Sequence, residues 1–234
     1  MRLIPFKDEI RLVVVTGMWK RPEVFDIFGK HYKKLGIDVI VAGSEKLNSK
    51  RQAESFDFIY IEQPNQPLAA KMNATIKEAL KRDYTHVICV GSDDLLSKEL
   101  IDEYILLIKH GYHFIGVTDF YFYELETGKA SYWGGYTDNR KGKTCGAGRV
   151  ISASLLRDWN GEPWKSSDTR YLDNSMQAKL NRVRKWVKTF SLKEKGLFAV
   201  DIKSKTNLTP FRLWQNTSYI DTQIIKEQFP YIFE

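Results

Sequence analysis

Two adjacent carboxylates, Asp93 and Asp94, follow the short apolar run Val87-Ile88-Cys89-Val90 through the turn Gly91-Ser92. Four consecutive apolar residues read as a strand buried on both faces, and the acids then stand at its carboxyl end, where open α/β sheets bind ligands. Neighbouring carboxylates repel, each raising the pKa of the other, unless a cation lies between them. A hard divalent ion holding a phosphorylated substrate meets that need. A plainer role is equally open: the pair could cap the helix expected from Ser97, because acidic side chains favour helix amino termini.

The elements that must place this pair are legible in the pattern around it. Arg11-Leu12-Val13-Val14-Val15-Thr16 reads as a first buried strand, since three consecutive valines disfavour a helix. Pro22 opens a helix with Val24, Ile27, Phe28, Tyr32 and Leu35 on one face, and Gly36 ends it. Residues 37–42 form a second strand with Gly43-Ser44-Glu45 as its exit, and 56–61 a third. A helix over 69–82 then leads to the Val87 strand. Successive strand–helix units of this kind imply a mostly parallel sheet with helices on both faces. After the acids, Ser97 caps a helix carrying Leu100, Ile101, Tyr104, Ile105 and Ile108, followed by a strand at 114–118. Residues 119–125 and 129–133 pair as an antiparallel hairpin through Glu126-Thr127-Gly128. A polar, glycine-containing loop occupies 134–148, and a short helix begins near Ser152.

The chain has 234 residues, 43% of them apolar and 13% aromatic, enough for a sizeable packed core. Neither a signal peptide nor a membrane span is expected, and a cytoplasmic location follows. The Asn-x-Ser/Thr triplets at Asn73, Asn207 and Asn216 are then chance matches. Cys89 and Cys145 make no metal motif, and Cys89 reads as a small core residue. The net charge of +7 is matched by one segment: between Lys179 and Lys205 nine basic residues face two acids, Glu194 and Asp201. Such a block attracts phosphate on a nucleotide, a nucleic acid or a membrane surface, or is a solvated lysine-rich face.

In order and spacing the motifs resemble the family 2 glycosyltransferases, which have the GT-A fold. The resemblance covers about residues 11–180 and rests on the Val13 strand, Glu45, the run Asn65-Gln66-Pro67-Leu68-Ala69-Ala70-Lys71-Met72-Asn73, Gly91-Ser92-Asp93-Asp94, Cys145-Gly146-Ala147-Gly148-Arg149-Val150-Ile151 and Leu172-Asp173-Asn174. It implies one GT-A domain over 1–234, with a nucleotide-sugar half (10–118), an acceptor-side half (119–180) and the basic segment (181–234). It further implies that Thr16 and Glu45 lie near the base and ribose, and Lys71 and Asn73 near the nucleotide. Asp93 would face the ribose or metal, and Asp94 would be the principal ligand of Mn²⁺ or Mg²⁺. For an inverting enzyme it implies a base beyond the sugar, Asp173, with Asp168 as the alternative. Gly91 stands where the family has an aspartate, and Leu172 where it has an acid. No histidine follows His113, so the family's late metal-binding histidine would be replaced by Asp201 or Lys203. The expected reaction is transfer of a sugar from a nucleotide-diphosphate sugar to a hydroxyl on a glycan precursor, a protein or modified DNA. A nucleotidyltransferase using Lys20 and Arg21 of the first loop, or a non-catalytic nucleic-acid-binding module using the block at 179–205, are the other readings.

Overall fold

The computed structural model describes residues 9–169, 172–183, 186–205, 207 and 217–234, apart from the side chains of 173 and 174. The chain begins with β1 (Leu12–Gly17), α1 (Pro22–Leu35), β2 (Asp38–Gly43), α2 (Leu47–Ser55), β3 (Ile59–Glu62), α3 (Leu68–Leu80) and β4 (His86–Cys89). It then crosses to β5 (Asp94–Leu96), α4 (Lys98–Lys109), β6 (Phe114–Val117), β7 (Phe120–Glu124) and β8 (Lys129–Trp133). β9 (Arg149–Ser152), α5 (Ala153–Asp158), α6 (Leu172–Leu180), β10 (Val187–Phe190), α7 (Leu192–Lys195), β11 (Ala199–Lys203), β12 (Thr217–Ile220) and α8 (Thr222–Gln228) complete it.

Seven strands form the larger sheet in the order β10-β6-β9-β4-β1-β2-β3. All its pairings are parallel except those of β9, which runs antiparallel between β4 and β6. Alternate residues enter opposite cores, as period-two geometry requires. Val14, Ile88 and Val150 pack with Phe25, Phe28 and Tyr32 of α1 and with α4. Val13, Val87 and Ile151 pack on the other face with Met72 and Ile76 of α3 and with Leu155 and Leu156. The expected α/β architecture, with a mostly parallel sheet covered on both faces and an antiparallel hairpin, is present. Ser97 caps α4 by accepting from Leu100 N–H at 3.2 Å, and α1 starts at Pro22 and ends at Gly36.

Several elements differ from the sequence expectation. α2 has only Ser49 and Ala53 buried, so it shows no apolar face to be read. The third strand begins at Ile59 rather than Phe56, because Phe56 closes α2 and Asp57 turns at a φ of 63°. Residues 149–152 form a strand where the sequence reading assigned no element, and the short helix expected near Ser152 is α5, capped by Ser152 accepting from Leu155 N–H at 3.2 Å.

A second sheet has the order β12-β8-β7-β11-β5. The chain passes into it from the large sheet three times, at 90–93 between β4 and β5, at 118–119 between β6 and β7, and at 191–198 between β10 and β11. The basic segment is woven into both sheets, giving β10 to one and β11 and β12 to the other. Among the described residues no helix is long and apolar enough to cross a membrane.

Candidate functional site

The first crossing places the acids at the seam between the sheets. β5 pairs antiparallel with β11 so that Asp94 lies directly opposite Asp201. Like charges in that register repel across the ladder. Asp93 completes a cluster in which carboxylate oxygens of all three residues lie within 4.8 Å of one another. Gly91 makes this packing possible, since a Cβ there would stand 2.5 Å from Asp93 Oδ1 and 2.9 Å from Asp94 Oδ2. Its own N–H donates to Asp94 Oδ2 at 2.5 Å. An aspartate at this position, as in the family pattern, would collide with the two that follow.

Cations surround the cluster without matching it one for one. Arg21, just before α1, donates to Asp93 Oδ2 at 2.5 Å and to Ser92 Oγ at 3.2 Å. Asn207 also donates to Asp93 Oδ2, at 2.8 Å. Lys203 is two residues from Asp201 on one face of β11 and pairs with its Oδ2 at 2.5 Å. Asp201 Oδ1 is buried and has no hydrogen-bond partner among the described residues. Burial raises the Asp94 carboxyl well above the ordinary range, and the charges of Asp201 and Asp93 add to that. Burial likewise pushes Asp201 up to about 6, against the opposing pull of Lys203. For Lys203 burial alone would lower the pKa, but attraction to Asp201, Asp93 and Asp94 outweighs it and the net shift is upward. Three oxygen donors, one with a vacant lone pair, fit a hard divalent cation, which would relieve the remaining negative charge.

A cleft of about 330 Å³ adjoins the cluster, with Arg21, Asp93, Asp94, Lys203 and Asn207 at a charged end and Leu68, Met72, Ala147, Trp164 and Leu172 along an apolar wall. Arg21 and Ser92 also line a second cavity, of about 500 Å³, with Trp19, Glu45, Arg51 and Gln52. A third, of about 520 Å³, lies by His86, His113 and Arg157 at the opposite, amino-terminal ends of β1 and β4.

The other sequence-derived candidates are placed as follows. Glu45 lines the second cavity and accepts from Lys20 N–H at 2.9 Å. Thr16 is fully buried, its hydroxyl has no partner among the described residues, and it is not among the residues lining either cavity. Lys71 is buried, and its ammonium donates to Met18 O at 2.7 Å, Ser44 Oγ at 3.2 Å and Asn65 Oδ1 at 3.2 Å. It thus ties together the loops after β1, β2 and β3. Burial lowers its pKa to about 8 despite the nearby Glu45. Asn73 turns away from the charged end and bonds Trp164 O at 2.9 Å and Ser166 Oγ at 3.0 Å. Asp168 offers its backbone carbonyl to Ala69 N–H, at the start of α3, and is not in the cleft wall. Asp173 lies in the first turn of α6, next to Leu172 of the cleft wall, and its side chain is outside the described residues.

Among the described residues the cations of the basic block are dispersed. Lys203 belongs to the acid cluster, Lys195 pairs with Glu103, Lys193 lies over the Tyr132 ring and Lys179 bonds Glu162 O. Arg184 and Lys185 are outside the described residues.

Arg21, Asn207 and Trp164 are the site residues that motif reading did not assign. Arg21 was legible only as a cation in the loop after β1. Asn207 had no signal beyond a chance triplet, since its position depends on the fold of residues near 201–207 back onto Asp93.

No protein-family model matches the chain, and no curated protein matches it. Among solved structures, the chain is similar to S. aureus TarS, with 12% identity and a TM-score of 0.59 over 83% of this chain and 37% of that one. It is similar also to residues 1–349 of S. aureus TarS, with 13% identity and a TM-score of 0.51 over 84% and 59%. The chain therefore spans well under two thirds of either protein's length. A looser likeness, at 11% identity and a TM-score of 0.41, extends over 96% of this chain and 98% of a Desulfovibrio desulfuricans G20 protein assigned to the nucleotide-diphospho-sugar transferases. At these identities the likeness concerns the fold alone, which the chain shares with S. aureus TarS.

Proposed function

We propose that the chain is a divalent-metal-dependent glycosyltransferase that uses a nucleotide-diphosphate sugar. The observation that carries this reading is the meeting of Asp94 and Asp201 across the β5–β11 ladder, with Asp93 beside them, at the mouth of a cleft. Asp94, Asp93 and Asp201 would hold Mn²⁺ or Mg²⁺, which when bound neutralises charge on the leaving diphosphate. Arg21 and Lys203 supply fixed positive charge to the same phosphates, and the cavity containing Glu45 and Trp19 accommodates the base and ribose.

In transfer, an acceptor hydroxyl oxygen bonds to the anomeric carbon while the bond from that carbon to the phosphate oxygen breaks. The bonding pair leaves with the nucleoside diphosphate, and the hydroxyl proton passes to a carboxylate. Asp173 is the candidate for that carboxylate because it follows Leu172 of the cleft wall, and Asp168 is the alternative. The acceptor hydroxyl belongs to a glycan precursor, a protein or modified DNA, and the described cations of the basic block are dispersed and form no continuous surface for the last of these.

The test is a panel of nucleotide sugars with and without Mn²⁺ or Mg²⁺, read by thermal shift and by release of nucleoside diphosphate. Metal-dependent protection and slow donor hydrolysis are expected. Release of pyrophosphate from a nucleoside triphosphate with a sugar phosphate, and no response to nucleotide sugars, would replace this reading with nucleotidyl transfer.

A further inference from the structure

Gly111, at a φ of 85°, turns the chain out of α4 and back toward the large sheet, so that Tyr112 and His113 stand just before β6. Nearby are Ser152, the last residue of β9, and His86, the first of β4. Ser152 lies directly opposite His86, and its N–H donates to His113 O at 2.8 Å. Because Phe114 lies opposite Ile151, the next pair outward is His113 with Ser152. Residues opposed across an antiparallel ladder share a face, so the two imidazoles flank one serine on the same side of the sheet. All three line the cavity of about 520 Å³ at the opposite ends of β1 and β4 from the acid cluster.

The hydrogen bonds around His86 decide which of its nitrogens carries the proton. Thr85 Oγ1 accepts from Arg11 N–H at 3.0 Å and donates its one proton to Arg11 O at 3.2 Å. Toward His86 Nδ1, at 3.1 Å, it can only accept, so Nδ1 is protonated and Nε2 carries a lone pair. Burial, with the charge of His113 adding to it, holds the His86 pKa down to about 4, which keeps the ring neutral near pH 7. His113 spends its Nδ1 on Ser152 Oγ at 2.9 Å and Ser154 Oγ at 3.2 Å. Both rings are half-buried; neither Nε2 has a partner among the described residues, and neither is shut off from solvent. Arg157, one turn beyond Ser154 on α5, adds an exposed guanidinium that is in no ion pair among the described residues.

These groups select a class of ligand. Two arginines, Arg11 and Arg157, and two acids, Glu9 and Asp83, line the cavity, so it carries no net formal charge to favour an anion. Two imidazoles alone do not make a metal centre, and among the described residues the acid cluster is the only group of three candidate ligands. What remains is a lone pair at His86, a donor at Arg157 and the Ser154 hydroxyl, beside apolar surface from Ile108, Ala153 and the Tyr112 ring. A sugar matches that set, since each hydroxyl both donates and accepts and the C–H face of its ring suits an aromatic surface. Trp186, 50% exposed with its ring 5.7 Å from that of His113, adds a second aromatic surface at the rim.

We propose that this cavity is a saccharide-binding site separate from the cleft, in which a sugar hydroxyl donates to His86 Nε2 and a neighbouring oxygen accepts from Arg157. The site needs neither metal nor nucleotide, so it is independent of the glycosyltransferase reading. Joined to that activity, it would retain a glycan chain away from its reacting end.

Saturation-transfer NMR, without metal or nucleotide, tests this with glucose, galactose, mannose and N-acetylglucosamine and with cellotriose, mannotriose and chitotriose. Transfer to the ring protons of at least one of these sugars is expected. Arg157→Ala, at an exposed position, should weaken that sugar about tenfold or more, the scale of a hydrogen bond to a charged group. His86→Phe keeps a ring and removes the acceptor, and should weaken it likewise; if it does not fold, Arg157→Ala with an unchanged melting temperature decides alone. No transfer to any of the seven sugars would overturn the proposal. Wild-type affinity in Arg157→Ala would also overturn it, by placing the sugar elsewhere on the protein. Inorganic phosphate that displaces the sugar, and whose own binding is lost in Arg157→Ala, would make the cavity an anion site instead.

Discussion

The four strands β1 to β4 follow one another along the chain and lie side by side in the large sheet, whereas the small sheet collects its strands from 94–96, 120–133, 199–203 and 217–220. The two regions meet at the acid cluster and supply different halves of it. The crossing out of β4 delivers Asp93 and Asp94, and β11, more than a hundred residues later, delivers Asp201 and Lys203. A parallel framework alone would leave two carboxylates at a strand end. Pairing β5 with β11 adds the third and the ammonium that partly balances it.

The largest effect is expected where the two regions touch. Asp94→Asn should abolish detectable transfer and Mn²⁺-dependent donor binding with the fold intact, because a neutral amide is a poor ligand for a hard cation. Normal activity would remove the metal assignment of Asp94. Next, Asp173→Asn should leave donor affinity nearly unchanged and slow transfer by about 10²–10⁴, the scale of a lost general base. If Asp168→Asn gives that pattern instead, the working carboxylate is on the 162–168 segment and not on α6.

Asp201→Asn tests whether β11 takes part in the chemistry or merely supports β5. Loss of one of three carboxylate donors should weaken Mn²⁺ affinity about 10- to 100-fold, the scale seen when groups that tune a metal site are removed. Titrating Mn²⁺ against donor binding would measure this, and an unchanged midpoint would confine the metal site to Asp93 and Asp94.

The same contrast explains what could be read from the residues alone. Valine runs, Pro22, Gly36 and the Ser97 cap are local signals, and the strands and helices they mark stand where expected, with Phe56–Phe58 displaced by a turn. The helix of residues 47–55 was illegible because it buries only Ser49 and Ala53. β5 is three residues long, too short for a period to show, and exists as a strand through its distant partner β11. Asp201 was nameable as an acid inside an apolar stretch, but its register opposite Asp94 is a property of non-local pairing. Trp164 carried no motif, and only its two backbone bonds to Asn73 distinguish it.

The smallest expected effect concerns the framework by itself. The Lys71 ammonium bonds the loops after β1, β2 and β3, all within the first half of the chain, so Lys71→Met should change donor affinity a few-fold at most and leave the rate of transfer nearly as it was. Its signature lies in stability against pH. Burial holds the folded-state pKa at about 8, below the ordinary lysine value of 10.5. Below pH 8 the amine is charged in both states, and the cost of burying that charge is fully present. Between pH 8 and 10.5 the unfolded chain binds more protons than the folded one, so stability rises with pH and levels off above 10.5. The full span corresponds to about 3 kcal/mol. Urea unfolding of the wild type and of Lys71→Met at pH 7.5, 9 and 10.5 isolates this contribution, because other groups titrate alike in both proteins. The wild type should gain on the variant steadily as pH rises, and a difference that stays flat would mean that the ammonium is not held in the low-dielectric junction of the three loops.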